Sequence, residues 1–183
     1  EHPQLGNIPP DQVVDVAENT GLIWPLTEWT LQRALEDAHA WQGVGHPIRV
    51  AVNLSARLLQ DVNLIDRLMA CLDACGADIS LLSLEITESA IMSDPSRALK
   101  NALTLSSLGV HLSIDDFGTG YSSLSYLRKL PAKELKIDKS FVIGMLIREN
   151  DLVIVKSTIE LAHTLGLKVV AEGANTLRNP DRA

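Results

Sequence analysis

Apolar positions along the chain switch repeatedly between a two-residue and a helical period. Period-two runs fall at Ile48–Ser55, Leu81–Thr87, His111–Phe117, Glu134–Asp138 and Lys168–Gly173, and each predicts a β-strand. Helical spacing precedes and separates them. Pro25 opens a helix in which Trp29, Ala34, Leu35, Ala38 and Trp41 make an apolar stripe, and the tryptophans read as core. Leu58, Val62, Ile65, Met69 and Leu72 predict a second helix, with Gly76 just past its end. Asp94-Pro95 reads as an N-cap followed by proline at the first helical position, for a helix that runs to Leu108 and stops at Gly109. Ile154, Thr158, Leu161 and Leu165 mark a further helix ended by Gly166. Alternating strands and helices predict a parallel α/β fold in one domain.

Parity within the strands narrows this further. Side chains alternate across a strand, so Val50, Val52 and Leu54 oppose Ala51, Asn53 and Ser55, and Leu82, Leu84 and Ile86 oppose Ser83, Glu85 and Thr87. Leu112 and Ile114 oppose Ser113 and Asp115, Leu135 and Ile137 oppose Lys136 and Asp138, and Val169 and Ala171 oppose Val170 and Glu172. Each strand thus has one apolar face and one that ends in a polar group. A doubly wound sheet buries both faces in apolar contacts. A barrel has helices outside, an interior inside, and function at the C-terminal ends of its strands. The pattern predicts a barrel whose mouth gathers Asn53, Glu85, Asp115, Lys136 and Glu172. Asp116 has the opposite parity but lies where the strand gives way to a loop.

Bulk properties are those of an ordinary globular protein: 183 residues, 46% hydrophobic and 21% charged. The net charge of -7 argues against binding a long nucleic acid, but not against a small anion whose charge is offset by bound cations. No apolar run approaches the roughly 18 residues of a membrane span and no signal peptide is seen. The expected location is the cytoplasm, or the cytoplasmic part of a membrane-anchored protein. Cys71 and Cys75 lack companions at zinc-ligand spacing and read as reduced, half-buried thiols. The histidines likewise show no ligand spacing and read as surface or packing residues.

The mouth residues suit a particular chemistry. Carboxylates and an amide oxygen favour hard cations such as Mg²⁺ and Mn²⁺. Two such ions, about 3.5–4 Å apart, can activate water and stabilise an in-line phosphoryl displacement. Asp115 and Asp116 would repel each other strongly without such an ion. Lys136 could hold the attacking water or stabilise charge on a phosphate. The Gly118–Ser123 stretch matches neither a P-loop nor a dinucleotide fingerprint.

On these residues the chain resembles the EAL-domain family, the cyclic di-GMP phosphodiesterases of bacterial signal transduction. The blocks that carry the resemblance are VNLS at 52–55, LEITES at 84–89, IDDFGTGYSSLSYL at 114–127, LKIDKSF at 135–141 and VVAEG at 169–173. GLI at 21–23 and the opening EHPQLGNIPP are also similar to the family, and the resemblance covers essentially the whole chain.

The resemblance implies an α/β fold, a TIM-type (β/α)₈ barrel of the EAL type with one antiparallel strand. It implies hydrolysis of cyclic di-GMP to linear pGpG with two divalent cations, Mg²⁺ or Mn²⁺, and inhibition by Ca²⁺. Asn53, Glu85 and Asp115 would bind the first metal, and Asp115, Asp116 and Glu172 the second, with Asp115 bridging. Lys136 would contact the catalytic water, Glu172 would act as general base or hold a metal-bound water, and Glu88 would anchor the loop at 117–123. A homodimer and a GGDEF or sensory domain elsewhere in the full-length protein are the expected partners.

Three departures from the family pattern matter. Residues 1–183 read as a single EAL domain that lacks the first strand with its Glu-Ala-Leu motif and also lacks the last strands. Asn175 stands where the family commonly has a glutamate near the second metal. The incomplete barrel alone is expected to be inactive. A degenerate module that binds cyclic di-GMP, or a protein partner, without hydrolysis is the alternative reading.

Overall fold

The computed structural model describes residue 4 and residues 6–76, 78–120 and 124–174. Five strands form one sheet: β1 (Val50–Asn53), β2 (Leu82–Thr87), β3 (His111–Phe117), β4 (Glu134–Ile137) and β5 (Lys168–Ala171). Every neighbouring pair is parallel and spatial order follows chain order. An order that never reverses, with the crossover helices packed on the sheet's apolar face, belongs to a barrel wall rather than to a doubly wound sheet. The five predicted strands are all present, with ends trimmed by a residue or two.

The helices are α1 (Pro10–Thr20), α2 (Ile23–Gly43), α3 (Ala56–Leu59), α4 (Leu64–Cys75), α5 (Glu88–Ser93), α6 (Pro95–Ser107), α7 (Leu124–Leu127), α8 (Lys139–Gly144) and α9 (Glu149–Thr164). The core lies between them and the apolar face of the sheet, where Val52, Leu84, Ile114, Leu135 and Ile137 are buried with Leu35, Leu68, Leu105 and Val155. Asp94 caps α6 by accepting from the Arg97 amide at 3.1 Å, ahead of the proline at the first helical position. Gly76 ends α4 in the left-handed conformation, as its position after the apolar run predicts.

Two helical expectations are corrected. The tryptophans are not core: Trp29 and Trp41 are exposed, and Trp24 is half-buried beneath the Arg67 guanidinium. The inward stripe of α2 is Ile23, Thr27, Leu31, Leu35 and Ala38, offset from the predicted one. The segment from Leu58 to Leu72 is also two helices. The Asp61 carboxylate accepts the Asn63 amide at 2.9 Å, which favours a turn over a continuous helix, and Val62 is left in solvent. The turn is held from α6 by buried Asn101, whose Nδ2 donates to the Leu59 carbonyl at 2.7 Å and the Asp61 carbonyl at 3.2 Å.

Cys71 and Cys75 are free thiols on α4. Burial, with the neighbouring Cys75 thiol, pushes the Cys71 thiol up to about 11, which keeps it protonated and inert. Among the described residues no helix is long and apolar enough to cross a membrane.

Candidate functional site

Lys136 stands at the centre of the C-terminal end of the sheet. Its Nζ donates to Glu172 Oε1 at 2.8 Å, Glu85 Oε2 at 2.9 Å and Asp115 Oδ1 at 3.1 Å. These side chains come from β2, β3, β4 and the turn after β5, and the alternation of residues along each strand points them to one side. Glu172 is tied to the sheet by its own amide, which donates to the Ile137 carbonyl at 3.2 Å. Gly173 follows in a left-handed conformation, with its Cα packed against Lys139 so closely that a Cβ would lie 3.0 Å from that side chain.

The electrostatics are unbalanced. Burial works against a charged Lys136, but the hydrogen bonds to Glu172, Glu85 and Asp115 outweigh it and hold the ammonium well above its ordinary range. The one cation is shared among three carboxylates, so it cannot offset them all. Burial therefore still raises Glu85 above the usual carboxylate range, despite Lys136. Asp116 is raised too, first by burial and then by the charges of Asp115, Asp138 and Glu172.

Asp116 joins the cluster although its parity is wrong for the inner face. Between Ile114–Leu135 and Phe117–Ile137 the β3–β4 register slips by one residue, so β3 carries a bulge there. Asp116 sits in it with φ 52°, a left-handed conformation rare outside glycine. The result is that carboxylate oxygens of Asp115, Asp116 and Glu172 all lie within 4.8 Å of one another. An all-oxygen set with excess negative charge suits hard divalent cations.

Glu88 lies at the start of α5 and is almost fully buried. Its Oε2 accepts the Gly118 amide at 2.9 Å and the Gly120 amide at 3.4 Å. This fixes the part of the 117–123 loop that is described, up to Gly120; residues 121–123 lie outside the described residues, as does Asn175.

Asn53 is not among the groups that hold the Lys136 ammonium, which are Glu85, Asp115 and Glu172. It lies at the end of β1, in register with Glu85, and lines a cleft of about 630 Å³ together with Thr87, Asp115 and Asp116. The lining of that cleft also includes Asp11, Asp15 and Glu18 of α1, which strand parity could not reveal because they come from a helix.

A family model for the EAL domain matches residues 1–178. The chain belongs to the EAL-domain family. Among curated relatives of this EAL chain, the bifunctional diguanylate cyclase/cyclic di-GMP phosphodiesterase MucR of Pseudomonas aeruginosa is 45% identical over 96% of the chain and 26% of its own length. The cyclic di-GMP phosphodiesterase NbdA of the same organism is 43% identical over 96% of the chain and 22% of its own length. The chain thus spans about a quarter of these relatives. Among solved structures, that of the PaMucR phosphodiesterase in complex with c-di-GMP superposes with a TM-score of 0.89 at 45% identity, over 93% of this chain and 70% of that one. The described sheet and helices are accordingly part of an EAL-type α/β barrel.

Proposed function

We propose that the full-length protein hydrolyses cyclic di-GMP to linear pGpG with two divalent cations, Mg²⁺ or Mn²⁺, and that Ca²⁺ inhibits it. The observation that carries the reading is the convergence of Glu85, Asp115 and Glu172 on Lys136, with Asp116 turned into the same cluster. Similarity to relatives named as cyclic di-GMP phosphodiesterases supports the choice of substrate.

In this reading Asn53, Glu85 and Asp115 hold one cation, and Asp115, Asp116 and Glu172 the other. When bound, such a pair supplies an activated water and charge stabilisation for in-line displacement at phosphorus. Lys136 orients that water and donates to the phosphate oxygens. In the metal-free site three carboxylates hold its proton. Glu172, the most exposed of those three carboxylates, accepts the proton of the water. Glu88 holds the backbone at Gly118 and Gly120, and so supports the bulge next to it. The cleft between β1 and α1 takes the dinucleotide.

The chain is then part of one EAL domain of a cytoplasmic, or membrane-anchored and cytoplasm-facing, bacterial signalling protein. A diguanylate cyclase (GGDEF) or sensory unit elsewhere in that protein, and a homodimer, fit the same reading.

The test is turnover of cyclic di-GMP to pGpG by the full-length protein with Mg²⁺ or Mn²⁺, a Ca²⁺ control and an Asp115→Ala variant. Turnover that disappears in the variant supports the phosphodiesterase. Tight binding without turnover moves the domain to the receptor class.

A further inference from the structure

We propose that Thr119 is a positioning residue for the metal site, acting through the backbone of Asp116. The inference rests on the metal reading above and adds what makes two adjacent carboxylates usable together.

Consecutive side chains of a strand point to opposite faces, so Asp115 and Asp116 in a regular β3 would diverge. They converge because Asp116 adopts φ 52° inside the bulge. Aspartate tolerates that conformation better than most L-residues, but still at a cost, so the bonds around it help hold it there. Two restraints act on the peptide groups of Asp116 itself. On one side its amide donates to Asp115 Oδ1 at 2.9 Å, an oxygen that also faces the Lys136 ammonium at 3.1 Å. On the other its carbonyl accepts twice from a single residue: the Thr119 hydroxyl at 2.8 Å and the Thr119 amide at 3.3 Å. The hydroxyl bond is the shorter of the two and the only one that depends on a side chain. Glu88 holds the neighbouring amides of Gly118 and Gly120, not Asp116. Thr119 is exposed, so its methyl and hydroxyl contribute little to core packing, and its contact with Asp116 is what distinguishes it from other small residues.

The experiment is Mn²⁺ calorimetry on the full-length protein, with the Asp115→Ala variant as blank for uptake elsewhere, combined with the Mn²⁺ concentration that half-activates turnover. Thr119→Val, which keeps the shape and loses the hydroxyl, should weaken Mn²⁺ binding about tenfold, the scale of lost outer-shell support. Thr119→Ser, which keeps the hydroxyl, should bind as wild type. In an Asp116→Asn background the Thr119→Val change should have no further effect, because the carboxylate it positions is gone.

Wild-type uptake that Thr119→Val leaves unchanged overturns this proposal alone. So does an equal loss in the presence and absence of the Asp116 carboxylate, which would show Thr119 acting by another route. Wild-type protein that takes up no more Mn²⁺ than the Asp115→Ala blank overturns the metal reading and this proposal with it. Should the valine variant not fold, the comparison of Thr119→Ala with Thr119→Ser applies the same test, with loss expected in the first and retention in the second.

Discussion

The Lys136 ammonium lies 2.8 Å from the Glu172 carboxylate, joining the end of β4 to the turn that follows β5. The same ammonium reaches Glu85 and Asp115, so one side chain ties together the carboxylates of two strands and a turn. Replacing it by Met keeps the length of the side chain and removes the charge. The three carboxylates then face one another unpaired, which disfavours the metal-free fold. Lys136→Met should lower turnover by about 10²–10³-fold, the scale of a lost electrostatic stabiliser. It should also lower the melting temperature of the metal-free protein more than that of the Mn²⁺-loaded protein. Equal melting shifts in both forms would show that Lys136 does not act as the counter-ion of this cluster.

Glu88 accepts two backbone amides while almost fully buried. Glu88→Gln preserves the shape but replaces charge-assisted hydrogen bonds with neutral ones, which are about half as strong. The variant should exchange the Gly118 and Gly120 amide protons faster in hydrogen-exchange measurements, with little change in the amides of β2. It should also need more Mn²⁺ for half-maximal turnover. Unchanged exchange at both glycines would remove Glu88 from its anchoring role.

Much of this site was legible because strand parity depends only on residue order. Glu85, Asp115, Lys136 and Glu172 occupy alternate positions of four short amphipathic runs, and the sheet places them together as that alternation requires. Asp116 was not legible in the same way: its direction follows from a register slip between β3 and β4 that no residue type marks. The tryptophans of α2 misled for a different reason. That helix carries apolar residues around much of its circumference, so periodicity leaves several candidate stripes. The choice among them is made by what β1 and α4 offer to pack against. Val62 failed because Asp61 forms a local turn that competes with the helix its neighbours would otherwise continue. The carboxylates of α1 become part of the cleft only once that helix is docked.

Asn101 ties α6 to the junction of α3 and α4 through two backbone carbonyls, those of Leu59 and Asp61. These two bonds use both protons of its Nδ2. Asn101→Ala removes both donors and leaves carbonyls that were desolvated around them, at a cost of about 2 kcal/mol. Asn101→Asp should be worse, because a carboxylate has no donor to offer and would be ionised in the same place. Urea denaturation of the intact EAL domain reads both. Stability of Asn101→Ala within error of wild type would mean that water replaces the amide freely.

At the opposite end of the sheet from Lys136, His111 opens β3 with its Nδ1 3.1 Å from the Ser83 hydroxyl. Among the described residues the charged groups that act on it are Arg49, Lys133 and Lys168, with Glu134 as the opposing acid. Burial, reinforced by Arg49 and the lysines and opposed by Glu134, holds the imidazole below its ordinary value of 6.5. The folded protein therefore binds fewer protons at this position than the unfolded chain, and stability rises with pH across the interval between the two values. The contribution is complete above the unfolded value and is lost as the pH falls through the folded one. His111→Gln retains a hydrogen-bonding group for Ser83 but cannot titrate. Chemical denaturation of wild type and variant from pH 7.5 down to pH 5 should show wild type losing stability relative to His111→Gln as the pH falls. Taking the difference of the two curves cancels the raised carboxylates Glu85 and Asp116, which both proteins share. Parallel curves would mean that His111 has the same proton affinity folded and unfolded.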